Sequence, residues 1–284
     1  MKSRDRGGKV PLPRHPGIAA LVARGPLWGE VPQEGRRTMA DVLILMTKAK
    51  TLGLLDGRRH ASGFWAEEFV VPYERFLNEG HTVDIATIGG RAPTPDQGSL
   101  TALSVCKTRP EGSPDNDEAN IAHYEQVIGS LAALRAPLNV SDITRERLAG
   151  YAGVYISGGH GAMEDMPHDA AMTRVVRWIL DLEKPLAVVC HGHSALLPLR
   201  DSEGRWPLEG YEMTAFSHDE EKVTDMAGKL PFVLQVELER LGAKYEKAKV
   251  IWDSHVVADR NLITGQNPYS STALAEAFVK RLAG

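Results

Sequence analysis

From residue 41 onward the chain alternates short aliphatic runs with longer amphipathic stretches, and that alternation constrains its fold more than any other feature. Asp41-Val-Leu-Ile-Leu-Met46 is too short for a buried helix and too uniformly apolar for a half-exposed strand. It predicts a strand covered on both faces. Residues 66–79 place Phe69, Val70, Tyr73, Phe76 and Leu77 at helical spacing, with Gly80 as a stop; Pro72 is expected to kink this helix or mark its first turn. Thr82–Thr87, Gly153–Ile156 and Leu186–Val189 read as further strands, with a helix over 169–183 between the last two. Weaker strand signals cover 212–216 and 256–264, and helical ones 232–241 and 270–282. Such alternation implies right-handed βαβ units. The expected fold is α/β, a parallel sheet sandwiched by helices with ligands at the carboxyl ends of its strands.

The stretch 91–150 breaks the rhythm with Pro93, Pro95, Pro110, Pro114 and Pro137 and one helix near 118–134. It reads as an insertion over a sheet edge or the site entrance. Residues 1–38 carry eight Lys/Arg against three acids, with no sustained periodicity. Burial there cannot offset the entropy of ordering, so a disordered basic tail is expected, with Met39 as an alternative natural start. The domain reading is a tail over 1–38 and a single domain over 39–284. A net charge of −4 gives no reason to expect a nucleic-acid partner. No stretch approaches the roughly 18 apolar residues that span a bilayer, so no membrane partner is expected. With only Cys106 and Cys190 present, a disulfide framework is unexpected and a reducing cytoplasmic location is the reading taken.

The chemistry concentrates at Val189-Cys190-His191-Gly192, where an apolar strand ends on a cysteine and a small-residue stretch opens a helix. This is the layout of a nucleophile elbow. Helix-N-terminal amides and a neighbouring imidazole favour thiolate over thiol there. An isolated cysteine at a strand end is more often inert filler, but the Cys-His-Gly context and the strand-to-helix placement argue for a catalytic thiol. Ser157-Gly158-Gly159-His160-Gly161 follows another strand. Its glycines let backbone amides approach a ligand and form an oxyanion hole or substrate-binding loop; no Gly-Lys-Ser/Thr ending supports a phosphate loop.

Ile156-Ser-Gly-Gly-His-Gly-Ala162, Ala187-Val-Val-Cys-His-Gly192 and Leu262-Ile-Thr-Gly-Gln-Asn-Pro268 together resemble the ThiJ/PfpI superfamily, nearest its branch of glutathione-independent glyoxalases (glyoxalase III) and heat-shock chaperones. The likeness runs from about Val42 to Leu282 and is weakest across 91–150. It implies the class I glutamine-amidotransferase-like, flavodoxin-like fold. It also implies that Cys190 is the nucleophile, His191 its partner, Glu221 of Phe216-Ser-His-Asp-Glu-Glu221 the third member, and Glu68 of Gly63-Phe-Trp-Ala-Glu-Glu68 a second acid. Glu67 is the neighbouring alternative. Read from sequence alone, Glu67 and Glu220 are solvated helix-end charges. His193 stands where this branch usually has proline, and Leu77 where the chaperone member has a metal-binding histidine. No metal and no cofactor are therefore expected.

By that resemblance the chain is expected to be a lyase of the glyoxalase III type. It would convert small 2-oxoaldehydes such as methylglyoxal to 2-hydroxy acids through a cysteine hemithioacetal, with Gly159 and His191 amides holding the oxyanion. The alternatives are a stress chaperone, a deglycase of larger adducts, an amidotransferase or a cysteine peptidase. His218-Asp-Glu220 has the amidotransferase His-x-Glu pattern, but it follows Cys190 too closely. Family members commonly form homodimers, and the same is expected here.

Overall fold

The computed structural model describes residues 41–101 and 117–284. The expected tail over 1–38, the start at Met39, Cys106 and part of the 91–150 insertion lie outside those residues. The strands are β1 (Asp41–Met46), β2 (Thr51–Gly53), β3 (Arg59–Ala61), β4 (Thr82–Thr87), β5 (Leu138–Asn139) and β6 (Gly153–Ile156). They continue with β7 (Leu186–Val189), β8 (Glu212–Met213), β9 (Lys244–Tyr245), β10 (Val256–Asp259) and β11 (Leu262–Gly265). Seven of them make one sheet in the order β10-β11-β7-β6-β1-β4-β5. Every pairing in it is parallel except β10 with β11.

Period-two alternation explains why the central strands are apolar throughout. Leu43, Leu45, Val154, Ile156, Leu186 and Val188 point into one core, while Val42, Ile44, Met46, Tyr155, Ala187 and Val189 point into the other. The first core is closed by the helix α3 (Ala170–Asp181) through Met172, Val175, Val176 and Ile179. The second is closed by α1 (Ala66–Asn78) and α4 (Ser271–Leu282), through Phe69, Val70, Phe76, Leu274 and Phe278. A further helix, α2 (Asp117–Ser130), contributes Tyr124, Val127 and Ile128 to that face. Each fully buried aliphatic side chain is worth roughly 1.5–3 kcal/mol relative to exposure.

Three expectations change in detail. The single strand expected over 256–264 is a hairpin, β10 and β11, turning at Arg260 with φ 54°. The helix expected over 118–134 is broken at Leu131, which caps a short second helix, Ala132–Arg135. Pro72 lies inside α1, which continues past it. Within the stretch 91–150, β5 pairs with β4 and forms one edge of the sheet. Register brings the carboxyl ends of β1, β6, β7 and β11 level, with Leu45 opposite Ile156, Ile156 opposite Val188 and Gly265 opposite Val189. The residues that follow, Thr47, Ser157, Cys190 and Gln266, therefore leave the sheet along one edge.

Candidate active site

β7 runs directly into Cys190, whose φ is 52°. A non-glycine residue held in the left-handed region costs on the order of 1–3 kcal/mol. The distortion turns the chain sharply into the tight 3-10 turn Cys190–Leu196. Packing imposes this turn. A Cβ on Gly192 would come within 3.0 Å of the Ser157 carbonyl oxygen, so only glycine lets the elbow close against the end of β6. Gly158 is held as tightly, since a Cβ there would lie 2.6 Å from both Glu68 Oε2 and the Val189 carbonyl oxygen. The three expected segments around Gly158, Cys190 and Glu68 thus meet at one point.

Glu221 organises the imidazoles. His191 Nε2 lies 2.9 Å from Glu221 Oε2, and His160 Nε2 lies 2.9 Å from Oε1. Burial works to raise the Glu221 pKa, but His191 and His160 outweigh it and hold the carboxyl well below the usual range. An ionised carboxylate only accepts, so both Nε2 atoms carry hydrogens. His191 Nδ1 is then a bare lone pair, 3.2 Å from Cys190 Sγ, where it accepts the thiol proton. Burial, reinforced by His160, lowers the His191 pKa to about 4, so the ring is neutral at neutral pH and its Nδ1 lone pair is free to accept.

The thiol departs from expectation. Cys190 is only 3% exposed. Burial, followed by the neighbouring Glu68 carboxyl, raises its pKa well above the ordinary value, while the amides of His191 and Gly159 pull the other way. Those are the two amides expected to hold an oxyanion, and here they face the sulfur. The turn's amides favour thiolate as the sequence suggests, but desolvation wins, and the resting group is a thiol. Its sulfur lies 3.2 Å from His191 Nδ1, the nitrogen placed to take its proton.

Glu68 is fully buried. Burial pushes its pKa up to about 8. The Cys190 thiol and the Gly158 amide lie near enough to favour the charged form without closing a hydrogen bond, and neither carboxyl oxygen has a partner. An orphaned buried acid costs about 1–3 kcal/mol or more, so this one is held where a ligand can use it. Its backbone is fixed from behind by Tyr155, whose hydroxyl donates to the Glu68 carbonyl at 3.0 Å. Glu67 is also buried, contrary to its reading as a solvated charge, but Glu68 is the glutamate placed against Gly158.

Glu220 is likewise fully buried rather than solvated. It accepts from the Ser217 amide and hydroxyl, the Trp252 amide and the Asn267 side chain, at 3.0, 2.7, 3.0 and 2.7 Å. It thereby ties the short helix carrying Glu221 to the loop after β11. The Ser-x-x-Glu spacing of a capping box was its legible signal. His160, expected in the oxyanion loop, instead turns its ring onto His191, with centroids 3.8 Å apart. His193 is buried, Nδ1 donating to the Cys190 carbonyl at 2.8 Å, and burial holds its pKa down at about 3. It braces the elbow as a neutral ring. Phe216 and Trp252 wall the imidazole side, with Phe216 centred 4.5 Å from His191. Neither was singled out from sequence.

Among the described residues, ligand atoms of His160, His191 and Glu221 all lie within 4.8 Å of one another, a spacing suited to a metal ion. No helix among those residues is long and apolar enough to cross a membrane.

The sequence profile of the DJ-1/PfpI family matches residues 60–281. The protein/nucleic acid deglycase HchA of Pseudomonas aeruginosa is 26% identical over 251 residues, covering 85% of this chain and 80% of that protein. The Staphylococcus aureus protein of the same name is 26% identical over 249 residues, covering 85% and 79%. The rapid encystment protein of 24 kDa from Francisella tularensis superposes with a TM-score of 0.70 at 27% identity, over 86% of this chain and 99% of that one. Glyoxalase III from Candida albicans superposes with a TM-score of 0.69 at 22% identity, over 86% and 97%, a likeness of fold.

Proposed function

The chain belongs to the DJ-1/PfpI family, and on that footing we propose that it is a glutathione-independent glyoxalase, converting methylglyoxal-type 2-oxoaldehydes to 2-hydroxy acids. The observation that carries this reading is the pairing of Cys190 with Glu68, a buried carboxyl with a pKa near 8 and no hydrogen-bond partner on either oxygen. An acid tuned near the operating pH can both give and take a proton. An isomerisation that moves hydrogen between adjacent carbons needs that property.

Cys190 gives its proton to His191 Nδ1 as sulfur adds to the aldehyde carbon. Protonated Glu68 supplies the hydrogen of the new hydroxyl, leaving a hemithioacetal, a Glu68 carboxylate and an imidazolium paired with Glu221. The carboxylate removes the hydrogen from the former aldehyde carbon as a proton, giving an enediolate whose remaining proton passes between the two substrate oxygens. Glu68 then returns a proton to the second carbon, and the thioester of the 2-hydroxy acid results. Water attacks the thioester, its proton passing to Glu68, and the departing sulfur regains a proton from His191. Amides of Gly159 and His191, already directed at the sulfur, support the oxyanion of each tetrahedral stage.

The names of the HchA relatives favour a second reading, deglycation of protein or nucleic-acid adducts, which needs the same thiol and acid. The burial of Cys190, His191 and Glu68 supports the smaller substrate. Incubation with methylglyoxal in the absence of glutathione is expected to yield lactate, and Cys190→Ser and Glu68→Gln are each expected to abolish it. Wild-type protein that releases no lactate, yet clears adducts from a glycated peptide, would move the assignment to deglycation.

A further inference from the structure

A thiol–imidazole–carboxylate relay needs one imidazole on its acid, and this site has two. Each Glu221 oxygen meets the Nε2 atom of a different histidine at 2.9 Å. Two nitrogens and one carboxylate are a donor set suited to zinc and its first-row neighbours. The surroundings resemble those of a metal site as well. Thr224 Oγ1 donates to Glu221 Oε1 at 3.1 Å, fixing the carboxylate from outside. The Phe216 ring packs against both imidazoles, with centroids 5.9 and 4.5 Å away. Supporting hydrogen bonds and an apolar wall orient ligands and tune a bound ion. His160 is the member nearest solvent, its side chain 8% exposed against 1% for His191, which gives an ion a side from which to enter.

We propose that His160, His191 and Glu221 form a binding site for one divalent transition-metal ion of the zinc or cobalt kind, and that its occupancy switches the catalytic thiol off. The ion takes the place of the two hydrogen bonds now made to Glu221. Each imidazole ligates through Nε2 and carries its hydrogen on Nδ1, so no proton is gained or lost. His191 Nδ1 then points a hydrogen at Cys190 Sγ and can no longer accept the thiol proton. Cys190 lies on the Nδ1 side of the ring, 3.2 Å away, opposite the ligating nitrogen, so sulfur is excluded from the coordination sphere. Only the consequence for activity rests on the glyoxalase reading; the site itself does not.

The test uses the full, tag-free chain with Co²⁺ and Zn²⁺ as probes. Equilibrium dialysis is expected to give one ion per chain. The cobalt form is expected to show visible ligand-field bands with no near-ultraviolet thiolate-to-cobalt charge transfer. Cys190→Ser should retain the ion, while His160→Gln should lose it. Lactate formation by the wild type should fall in step with occupancy and return with a chelator. Absence of a bound ion, a thiolate charge-transfer band, or binding that survives His160→Gln and vanishes in Cys190→Ser would each overturn the proposal. The cobalt spectrum of the wild type needs no substitution, so it decides the matter even where a variant fails to fold. Occupancy without any lactate activity to inhibit would sink the glyoxalase reading and leave the metal site standing.

Discussion

The Tyr155 hydroxyl donates to the backbone carbonyl of Glu68 at 3.0 Å, and it does so because Pro72, four residues further along α1, has no amide hydrogen to give that carbonyl. A proline six residues into a helix is ordinarily disruptive. Here it vacates one acceptor, and a fully buried tyrosine from the central strand β6 fills it. The first turn of α1, which presents Glu68 to the thiol, is thereby pinned to the middle of the sheet.

Removing the hydroxyl tests that linkage. Tyr155→Phe leaves a buried carbonyl unsatisfied and is expected to cost about 1–3 kcal/mol in denaturant unfolding. In a Pro72→Ala background the restored amide can serve the carbonyl, so the same substitution should cost markedly less. Equal costs in both backgrounds would show that the hydroxyl does not stand in for the missing helical bond. Lactate assays should follow the same pattern, with a lower kcat in Tyr155→Phe partly recovered in the double variant.

The acid and the base predict a bell-shaped dependence of kcat/KM on pH. His191, at about 4, must be neutral to accept the thiol proton, so the rate should rise as pH passes that value. Glu68, at about 8, must begin protonated to supply the hydroxyl hydrogen, so the rate should fall above it. Because these groups interact through Cys190, the observed midpoints belong to the site as a whole. An alkaline limb that persists with undiminished rate in Glu68→Gln would remove Glu68 from the reaction.

Stability supplies an independent check on Glu68. Its folded-state pKa of about 8 lies above its ordinary value of 4.5. The folded state therefore binds the proton more tightly, and stability falls as pH rises between those values. Glu68→Gln lacks this titration. Relative to wild type it should gain stability between pH 5 and pH 9, on the order of a few kcal/mol. Parallel stability–pH curves for the two proteins would contradict the buried, unpaired state of this carboxyl.

How far the sequence reveals all this depends on whether a feature is periodic or three-dimensional. The strands β1, β6 and β7 and the elbow at Cys190 were legible because strands covered on both faces are continuously apolar, and because the run of β7 ends directly on Cys-His-Gly. The hairpin at Arg260 was not, since a positive φ on a non-glycine residue leaves no signal in the pattern of apolar residues. Glu67 and Glu220 read as surface charges because acidic residues at a helix start usually are. Glu220 is enclosed by partners distant in the chain, Trp252 and Asn267, which no local pattern announces. The partner of His160 lies 61 residues away in the chain, so its ring could not be placed by spacing.

Shape and charge can be separated at Glu221. Glu221→Gln keeps the size of the side chain but replaces one accepting oxygen by a donating amide. Two Nε2–H groups cannot both be satisfied by it. If the amide nitrogen faces His191, that ring must move its hydrogen to Nδ1 and then cannot accept the thiol proton. If it faces His160, His191 keeps its tautomer but loses the charge that stabilises its protonated form. Both arrangements are expected to lower kcat, by roughly 10²–10⁴, the range associated with positioned acid–base groups. Glu221→Asp retains the charge and should lose less. Comparing kcat and KM for the two variants with methylglyoxal decides the point: a Gln variant that matches Asp in kcat would mean that the carboxylate positions the loop and does not set the His191 proton.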